Sequence, residues 1–235
     1  MINTIELKFK DQEIHIEYFY IGNNAENVIL FLHWLWACKE NFIEVANDDM
    51  FRDYNTIWMD FPWTWLSSYI ENLKIDDLAE IVNLFLGKLK IRQAVIVWHS
   101  MWWVVGLKFA EKFPQSVRWF INIEWNLISK DASFSKYLTA LSLSDFIKEF
   151  GDEKSMHVLS FSLVEESENW DLLNKFINLN LPKLYIYWIN SHILALDSLT
   201  DSWVETAWIG NSWHHPFLEN KDDFKVSLLK FLKDI

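Results

Sequence analysis

A strand-like segment that leads through a serine into an apolar helix is the feature that most limits how this chain can fold. The apolar run Ala94–Val97 predicts a buried strand, and the segment from about Met101 to just before Pro114 predicts a helix. Ser100 lies in the short turn between them. This order lifts the serine hydroxyl out of a sheet and points the N-terminus of the helix, with its free N–H groups, at whatever binds there.

Strand-like and helix-like segments alternate along the rest of the chain. The patterns predict an edge hairpin, five further strands and three further helices: Thr4–Lys10 with Glu13–Tyr20; Asn27–Leu32, Asn55–Met59, Val117–Ile123, Lys183–Tyr187 and Val204–Ile209; and Asn41–Arg52, Asp76 or Asp77 to about Lys90, and Asp222–Leu232. Such alternation favours an α/β fold, a mostly parallel central sheet with helices on both faces. We expect one domain, 1–235, in which the helical stretch 127–181 is a lid insertion.

The composition limits the partners and the compartment. A net charge of −12 argues against a nucleic-acid partner, because phosphate binding needs a basic face. The most apolar stretch, Val95–Ala110, is interrupted by polar residues, so no membrane span is predicted. Cys38 is the only cysteine, and the first residues lack the layout of a signal peptide. We expect a soluble cytoplasmic protein, while the oligomeric state stays open.

Four segments carry a resemblance to a known superfamily. Val97–Trp103 resembles the nucleophile elbow of α/β-hydrolases, Gly-x-Ser-x-Gly-Gly. His33–Trp36 resembles the His-Gly-x-Gly loop after the third strand, Asp60–Ser67 the Asp-x-Pro-Gly-x-Gly-x-Ser segment after the fourth, and Asn211–Pro216 the segment with the catalytic histidine. The four stand in the superfamily's order. The resemblance, which extends over about 28–232, implies an α/β-hydrolase fold and a carboxylesterase-like serine hydrolase that acts on a small acyl substrate without a cofactor.

The resemblance also assigns most of the catalytic roles. Ser100 stands at the nucleophile position, although an N-cap is the ordinary role of a serine before a helix. His214 is the expected general base, with the neighbouring His215 as its main rival. The backbone N–H groups of Leu35 and Met101 are the expected oxyanion hole.

The supporting acid is the least direct assignment. In many relatives an aspartate follows the strand that corresponds to Lys183–Tyr187, but here Ser191 stands at about that place and cannot carry the charge. Other relatives place the acid after the strand that follows the elbow helix, which points to Glu124. A carboxylate at the end of an apolar strand is costly unless it is paired. Glu124 is therefore the expected acid, with Asp197 and Asp201 as alternatives and helix capping or lid anchoring as its other reading.

The remaining polar residues of the motifs have supporting interpretations. We expect His99 to pack beside the elbow, His33 to order its own loop and Asp60 to brace the turn that follows it. No grouping of His, Cys, Asp or Glu along the sequence has metal-ligand spacing, so no metal is expected.

Tryptophan occupies the places where the superfamily carries glycine. The chain has 15 Trp and 5 Gly, whereas average usage of about 7% predicts roughly 16 glycines. Overpacking costs roughly 1–3 kcal/mol per site, and ten such sites would exceed a typical stability of about 5–15 kcal/mol. The affected positions are Trp34, Trp36, Trp63, Trp65, Trp98, Trp102, Trp103, Trp125, Trp188 and Trp213, with Trp119 and Trp203 as further candidates.

Two hypotheses account for this pattern. One codon is read as tryptophan in some genetic codes and as glycine in others, so many of these residues would be glycine in the living protein. An altered sequence is the rival explanation. If the tryptophans are literal, the indoles would favour a catalytically inactive binding or scaffold protein that keeps the fold.

Overall fold

The central feature of the fold is an open, mostly parallel sheet. The computed structural model describes residues 2–33, 38–64, 67–100, 103–123, 127, 133–150, 154–169, 171–188 and 195–233. Its strands are β1 (Ile2–Phe9), β2 (Gln12–Ile21), β3 (Asn27–Leu32), β4 (Tyr54–Met59), β5 (Ala94–His99), β6 (Val117–Ile123), β7 (Lys183–Trp188) and β8 (Glu205–Ile209). The order is β1-β2-β4-β3-β5-β6-β7-β8, antiparallel from β1 to β4 and parallel from β4 to β8. The prediction of a mostly parallel sheet is confirmed.

Helices connect the parallel strands. Among the described residues they are α1 (Ile43–Ala46), α2 (Ile75–Lys88), α3 (Trp103–Lys112), α4 (Ser133–Ala140), α5 (Leu143–Phe150), α6 (Lys154–Asn169), α7 (Leu172–Asn178), α8 (Leu196–Asp201), α9 (Pro216–Glu219) and α10 (Lys221–Lys233). Short 3₁₀ turns cover Lys39–Phe42, Asp49–Phe51 and Pro114–Ser116.

The core lies on both faces of the sheet. Along β5, Ile96 and Trp98 face the side covered by α2 and α3, whereas Val95 and Val97 face the side covered by α10. All six residues of β5 are buried, as expected for the centre of a parallel sheet covered on both faces. Because β3 to β8 run parallel, their carboxyl ends lie at one edge of the sheet, where α/β sheets ordinarily bind their ligands.

The predicted helix over Asn41–Arg52 is wrong. The structure breaks this segment into a 3₁₀ turn, the four-residue helix α1 and a second 3₁₀ turn. Asp48 causes the interruption: its backbone is extended and its side chain accepts the Met50 N–H at 2.9 Å. A local side-chain bond of this kind competes with helical hydrogen bonding.

The start of α2 also differs from the expected cap. The N-cap residue is Lys74, and Asp77 lies inside the helix, where its carboxylate accepts the Lys74 N–H at 3.1 Å. The side chain of Asp77 thus still stabilises the helix start, as half of a capping box.

Helices α4 to α7 lie in the chain between β6 and β7. The helical character of 127–181 is thus present in the part of that stretch which the structure describes, while its role as a lid stays a prediction. No helix among the described residues is both long enough and apolar enough to span a membrane.

Candidate functional site

The candidate site is built around Ser100 at the carboxyl end of β5. Ser100 directly follows the strand and has a φ of 61°, in the left-handed region that non-glycine residues rarely adopt. The residue is only 3% exposed. A strained backbone of this kind costs of order 1–3 kcal/mol and persists only where the surrounding structure enforces it. Such residues cluster at functional sites.

His214 reaches this place from the loop between β8 and α9. Two side chains, those of Ser212 in the loop and Glu219 in α9, restrain the backbone of this loop. The Ser212 hydroxyl donates to the Ile209 carbonyl at 3.0 Å, and the Glu219 carboxylate accepts the N–H groups of Trp213 and His215. These bonds fix the path of the backbone on both sides of His214.

The structure brings Ser100 and His214 into contact. The Ser100 Oγ lies 2.9 Å from the His214 Nε2, although 114 residues separate them in sequence. Within the described part of the chain, His214 rather than its rival His215 makes this hydrogen bond with Ser100. Glu124, Leu35 and Met101 lie outside the described residues.

The other acids weighed from the sequence are placed as follows. Asp197 and Asp201 are exposed on α8. Ser191, in the loop after β7, lies outside the described residues.

A second histidine, His99, is hydrogen-bonded to the backbone of His214. His99 is fully buried, and its Nε2–H donates to the His214 carbonyl at 2.6 Å. The ring of Phe217 packs edge-on against His99 at a centroid distance of 4.8 Å, and Trp188 packs edge-on against His214 at 5.5 Å. His99 therefore packs beside the elbow, as expected, and also anchors the loop of the candidate base.

Burial sets the protonation of the histidines. Burial, and then the neighbouring His215, lowers the pKa of His214 to about 4. Burial likewise lowers the pKa of His99 well below its usual range. A neutral His214 at pH 7 has a lone pair on one ring nitrogen, which is what a general base requires.

A buried ion pair flanks the expected oxyanion loop, residues 34–37. The Asp60 carboxylate accepts the backbone N–H of Lys39 at 2.7 Å and its Nζ at 2.6 Å, and both side chains are almost fully buried. His33, at the other end of that loop, accepts the Phe61 N–H through Nε2 and lies 3.7 Å from Asp60. Asp60 thus contacts both flanks of the loop, a wider role than bracing its own turn.

Sequence reasoning missed two of these residues. Lys39 carries no motif, and its partner is 21 residues away, so nothing in its neighbourhood indicated a buried lysine. Glu219 had one available signal, because it lies in the first turn of a helix that begins at Pro216, directly after the two histidines.

The comparisons with known proteins agree on the architecture. No protein-family model and no curated protein sequence matches the chain. Among solved structures, a thermophilic esterase from Thermogutta terrifontis superposes with a TM-score of 0.75 at 12% identity, covering 99% of this chain and 98% of that one. A bromoperoxidase from Bacillus anthracis superposes with a TM-score of 0.73 at 15% identity, covering 98% and 100%.

A third structure adds a different hydrolytic reaction to this group. An N-acyl homoserine lactonase, solved in complex with N-hexanoyl homoserine, has a TM-score of 0.73 at 14% identity and covers 100% of this chain and 97% of that one. The sheet order, the serine at the carboxyl end of β5 and the near-complete superpositions lead to one structural conclusion. The chain has the α/β-hydrolase fold.

Proposed function

We propose that this chain is a serine hydrolase that cleaves a small ester or a related acyl substrate. The observation that carries the proposal is the 2.9 Å contact between the Ser100 Oγ and the His214 Nε2. A serine hydroxyl is a weak nucleophile unless a base removes its proton, and a buried neutral imidazole at hydrogen-bond distance can do so.

In the first half of the proposed reaction, the Ser100 Oγ attacks the acyl carbon. His214 takes the hydroxyl proton on Nε2 as the new C–O bond forms, which leaves a tetrahedral oxyanion beside an imidazolium. The oxyanion then collapses, the bond to the leaving alcohol breaks, and His214 returns the proton to that alcohol. The product of this half is an acyl group on Ser100.

In the second half, water takes the place of the alcohol. His214 removes a proton from water as its oxygen attacks the acyl carbon, and the bond to the Ser100 Oγ then breaks. The proton on His214 passes back to Ser100, so the free enzyme is regenerated with a carboxylic acid as product. No redox partner is required at any step.

Three further roles complete the proposal. Glu124 holds the imidazole in the correct tautomer and stabilises the imidazolium, while the N–H groups of Leu35 and Met101 stabilise the oxyanion. These roles come from the resemblance of the motifs. The Lys39–Asp60 ion pair fixes Lys39, close in sequence to Leu35, which supports the role proposed for Leu35.

The choice of substrate class rests on the solved relatives. One is an esterase and another is an N-acyl homoserine lactonase, so ester and lactone carbonyls are the first compounds to test. Thioester and carbon–carbon bond hydrolysis use the same nucleophile and follow in the series. Because the lone Cys38 suits a reducing compartment, we propose that the reaction takes place in the cytoplasm.

A fluorophosphonate probe combined with p-nitrophenyl esters of increasing acyl length tests this function. We expect covalent labelling and turnover that are both lost in Ser100→Ala, with kcat/KM falling by about 10³-fold or more. Ser116→Ala is the matched control: Ser116 is also buried, but it precedes β6 at the opposite edge of the sheet, so its replacement should leave labelling intact.

Absence of labelling in the folded protein would contradict the proposal. It would favour the alternative, a catalytically inactive binding or scaffold protein with the same fold. Labelling that persists in Ser100→Ala would show that another residue is the nucleophile.

A further inference from the structure

His99, His214 and His215 form one compact cluster. The ring centroids lie 4.9 Å apart for His99 and His214, 5.0 Å for His214 and His215, and 5.4 Å for His99 and His215. One ring nitrogen from each of the three lies within 4.8 Å of the others. The sequence did not reveal this grouping, because His99 is more than a hundred residues from the other two.

These spacings resemble those of imidazoles around a single metal ion. Zinc binds histidine nitrogens at about 2.0–2.1 Å in tetrahedral geometry, which places neighbouring ring centres about 5 Å apart. Rotations of the rings would bring the three nitrogens from these separations to bonding distance of one ion.

The hydrogen bond of His99 orients one possible ligand atom. Its Nε2 donates a proton to the His214 carbonyl, so in the neutral ring the lone pair is on Nδ1. His214 and His215 are only partly buried, which leaves an approach for an ion from solvent.

We propose that His99, His214 and His215 bind a borderline-soft divalent cation such as Zn²⁺, and that the bound ion inhibits hydrolysis. A neutral imidazole has one lone pair. If the metal takes the lone pair of His214, the other ring nitrogen carries the proton and no nitrogen is left to accept the proton of Ser100. The inhibitory effect rests on the proposed function, whereas the binding itself does not.

The test measures binding separately from turnover. Co²⁺, a spectroscopic substitute for Zn²⁺, is titrated into the Ser100→Ala chain. We expect one ion per chain with the absorption of tetrahedral Co²⁺, displaced by Zn²⁺. In Ser100→Ala/His215→Ala the affinity should fall at least about tenfold, within the loss typical for an altered metal site. His15→Ala, an exposed histidine on β2, is the control that should keep the affinity.

Activity supplies the second arm. In the chain with Ser100 intact, Zn²⁺ should inhibit turnover and a chelator should restore it. His215→Ala should raise the Zn²⁺ concentration that gives half inhibition at least about tenfold. Equal Co²⁺ affinity with and without His215, or no binding at millimolar Co²⁺, would overturn the metal site. Fluorophosphonate labelling in metal-free buffer reports separately on the proposed function.

The tryptophans carry a second, independent inference. Two of them, Trp63 and Trp203, have φ values of 71° and 59°, and the Trp203 side chain is 95% exposed. A bulky residue with a positive φ is strained, whereas glycine adopts this conformation freely. Neither the backbone at these positions nor the solvent around Trp203 calls for an indole.

The buried tryptophans show a complementary misfit. Trp58, Trp98 and Trp103 are fully buried, and their indole N–H groups have no acceptor among the described residues. Buried indole N–H groups normally find a partner, because leaving one unsatisfied costs about 1–3 kcal/mol. Trp98 also lies directly over Gly106, where an added Cβ would stand 2.5 Å from the indole Nε1.

We infer that Trp63, Trp98 and Trp203 are glycine in the protein as its own organism makes it, through a codon read as tryptophan in some genetic codes and glycine in others. Peptide mass spectrometry of the protein from its host should find glycine at the three positions. Peptides with intact tryptophan there would overturn the inference.

A recombinant comparison tests the same idea through stability. Trp63→Gly and Trp203→Gly should each raise the midpoint of thermal unfolding by about 2–8 °C, because they relieve a strained φ. Trp208→Gly is the matched control. Trp208 is half-exposed within β8 without a positive φ, so glycine there should lower the midpoint. A fall for Trp63→Gly and Trp203→Gly as well would contradict the strain argument.

Discussion

Lys39 donates to the Asp60 carboxylate twice, once from its backbone N–H and once from its Nζ. Burial, the largest effect, would lower the pKa of Lys39, but Asp60, Glu40 and Glu17 together outweigh it and raise that pKa above its usual value. Lys39 therefore remains charged inside the protein, whereas burial raises the pKa of Asp60 against the opposing effects of His33 and Lys39. Two further carboxylates, those of Glu40 and Glu17, lie 3.1 Å and 3.2 Å from the Nζ.

Removing one partner of this pair should be strongly destabilising. Lys39→Met leaves Asp60 as an uncompensated buried charge, and we expect the free energy of unfolding to fall by about 3–5 kcal/mol in chemical denaturation. Lys112→Met removes a lysine with two exposed carboxylate partners and should cost less than about 1 kcal/mol. Similar losses for both lysines would argue against a special role for the buried pair.

The pH dependence of turnover should report on His214. The proposed reaction needs the neutral form of His214, and its pKa is lowered to about 4. We expect kcat/KM for a neutral ester to rise as pH increases through about 4 and to be level by about pH 6. A midpoint near the ordinary histidine value of about 6.5 would contradict the burial argument.

Stability should also fall in acid. His99 and His214 have folded pKa values below the unfolded value of about 6.5, so the unfolded chain binds more protons than the folded chain between that pH and the lowered values. Their contribution is complete above about pH 6.5 and is lost as pH falls toward about 4. Urea unfolding across this range should show the loss, and His214→Gln should reduce its slope.

The loop of His214 should depend on Glu219. Glu219→Ala removes the acceptor for two backbone N–H groups, those of Trp213 and His215. Hydrogen bonds to charged groups contribute about 1.5–3 kcal/mol, so we expect kcat to fall about 10- to 100-fold while KM changes little. Asp222→Ala, an exposed carboxylate on the next helix, should leave kcat unchanged.

Gly106 and Trp98 should be coupled. Gly106→Ala should destabilise the protein by about 1–3 kcal/mol, because the new Cβ would overlap the Trp98 indole. In a Trp98→Gly background the same change should stabilise by up to about 1 kcal/mol, the usual gain of alanine over glycine in a helix. Gly87→Ala in α2, where nothing lies within 4 Å, should stabilise in both backgrounds. Equal effects of Gly106→Ala in the two backgrounds would contradict the contact.

Local patterns were sufficient for most of the sheet. The runs Asn27–Leu32 and Val117–Ile123 are strands with the predicted bounds, because a continuous apolar run between polar residues leaves little choice. The predicted helix over 41–52 failed because one side chain, that of Asp48, satisfies a backbone N–H that a helix would otherwise use.

The candidate site divides in the same way. The contact between Ser100 and His214 could be predicted because each lies in a motif with a fixed place in the fold. The Lys39–Asp60 pair and the clustering of His99 with His215 depend on contacts between distant segments, and no local pattern indicates them. Tertiary contacts of this kind follow only once the strand order is known.

The position of β8 at the edge of the sheet has a consequence for the order in which activity and structure are lost on unfolding. In the sheet β8 is an edge strand, paired only with β7 among the described residues, yet the loop after it carries the His214 imidazole that contacts Ser100. Edge strands open more readily than central ones. Gentle heating or low denaturant should therefore abolish the proposed activity while the amide protons of the central strands are still protected, so that loss of activity precedes unfolding of the core.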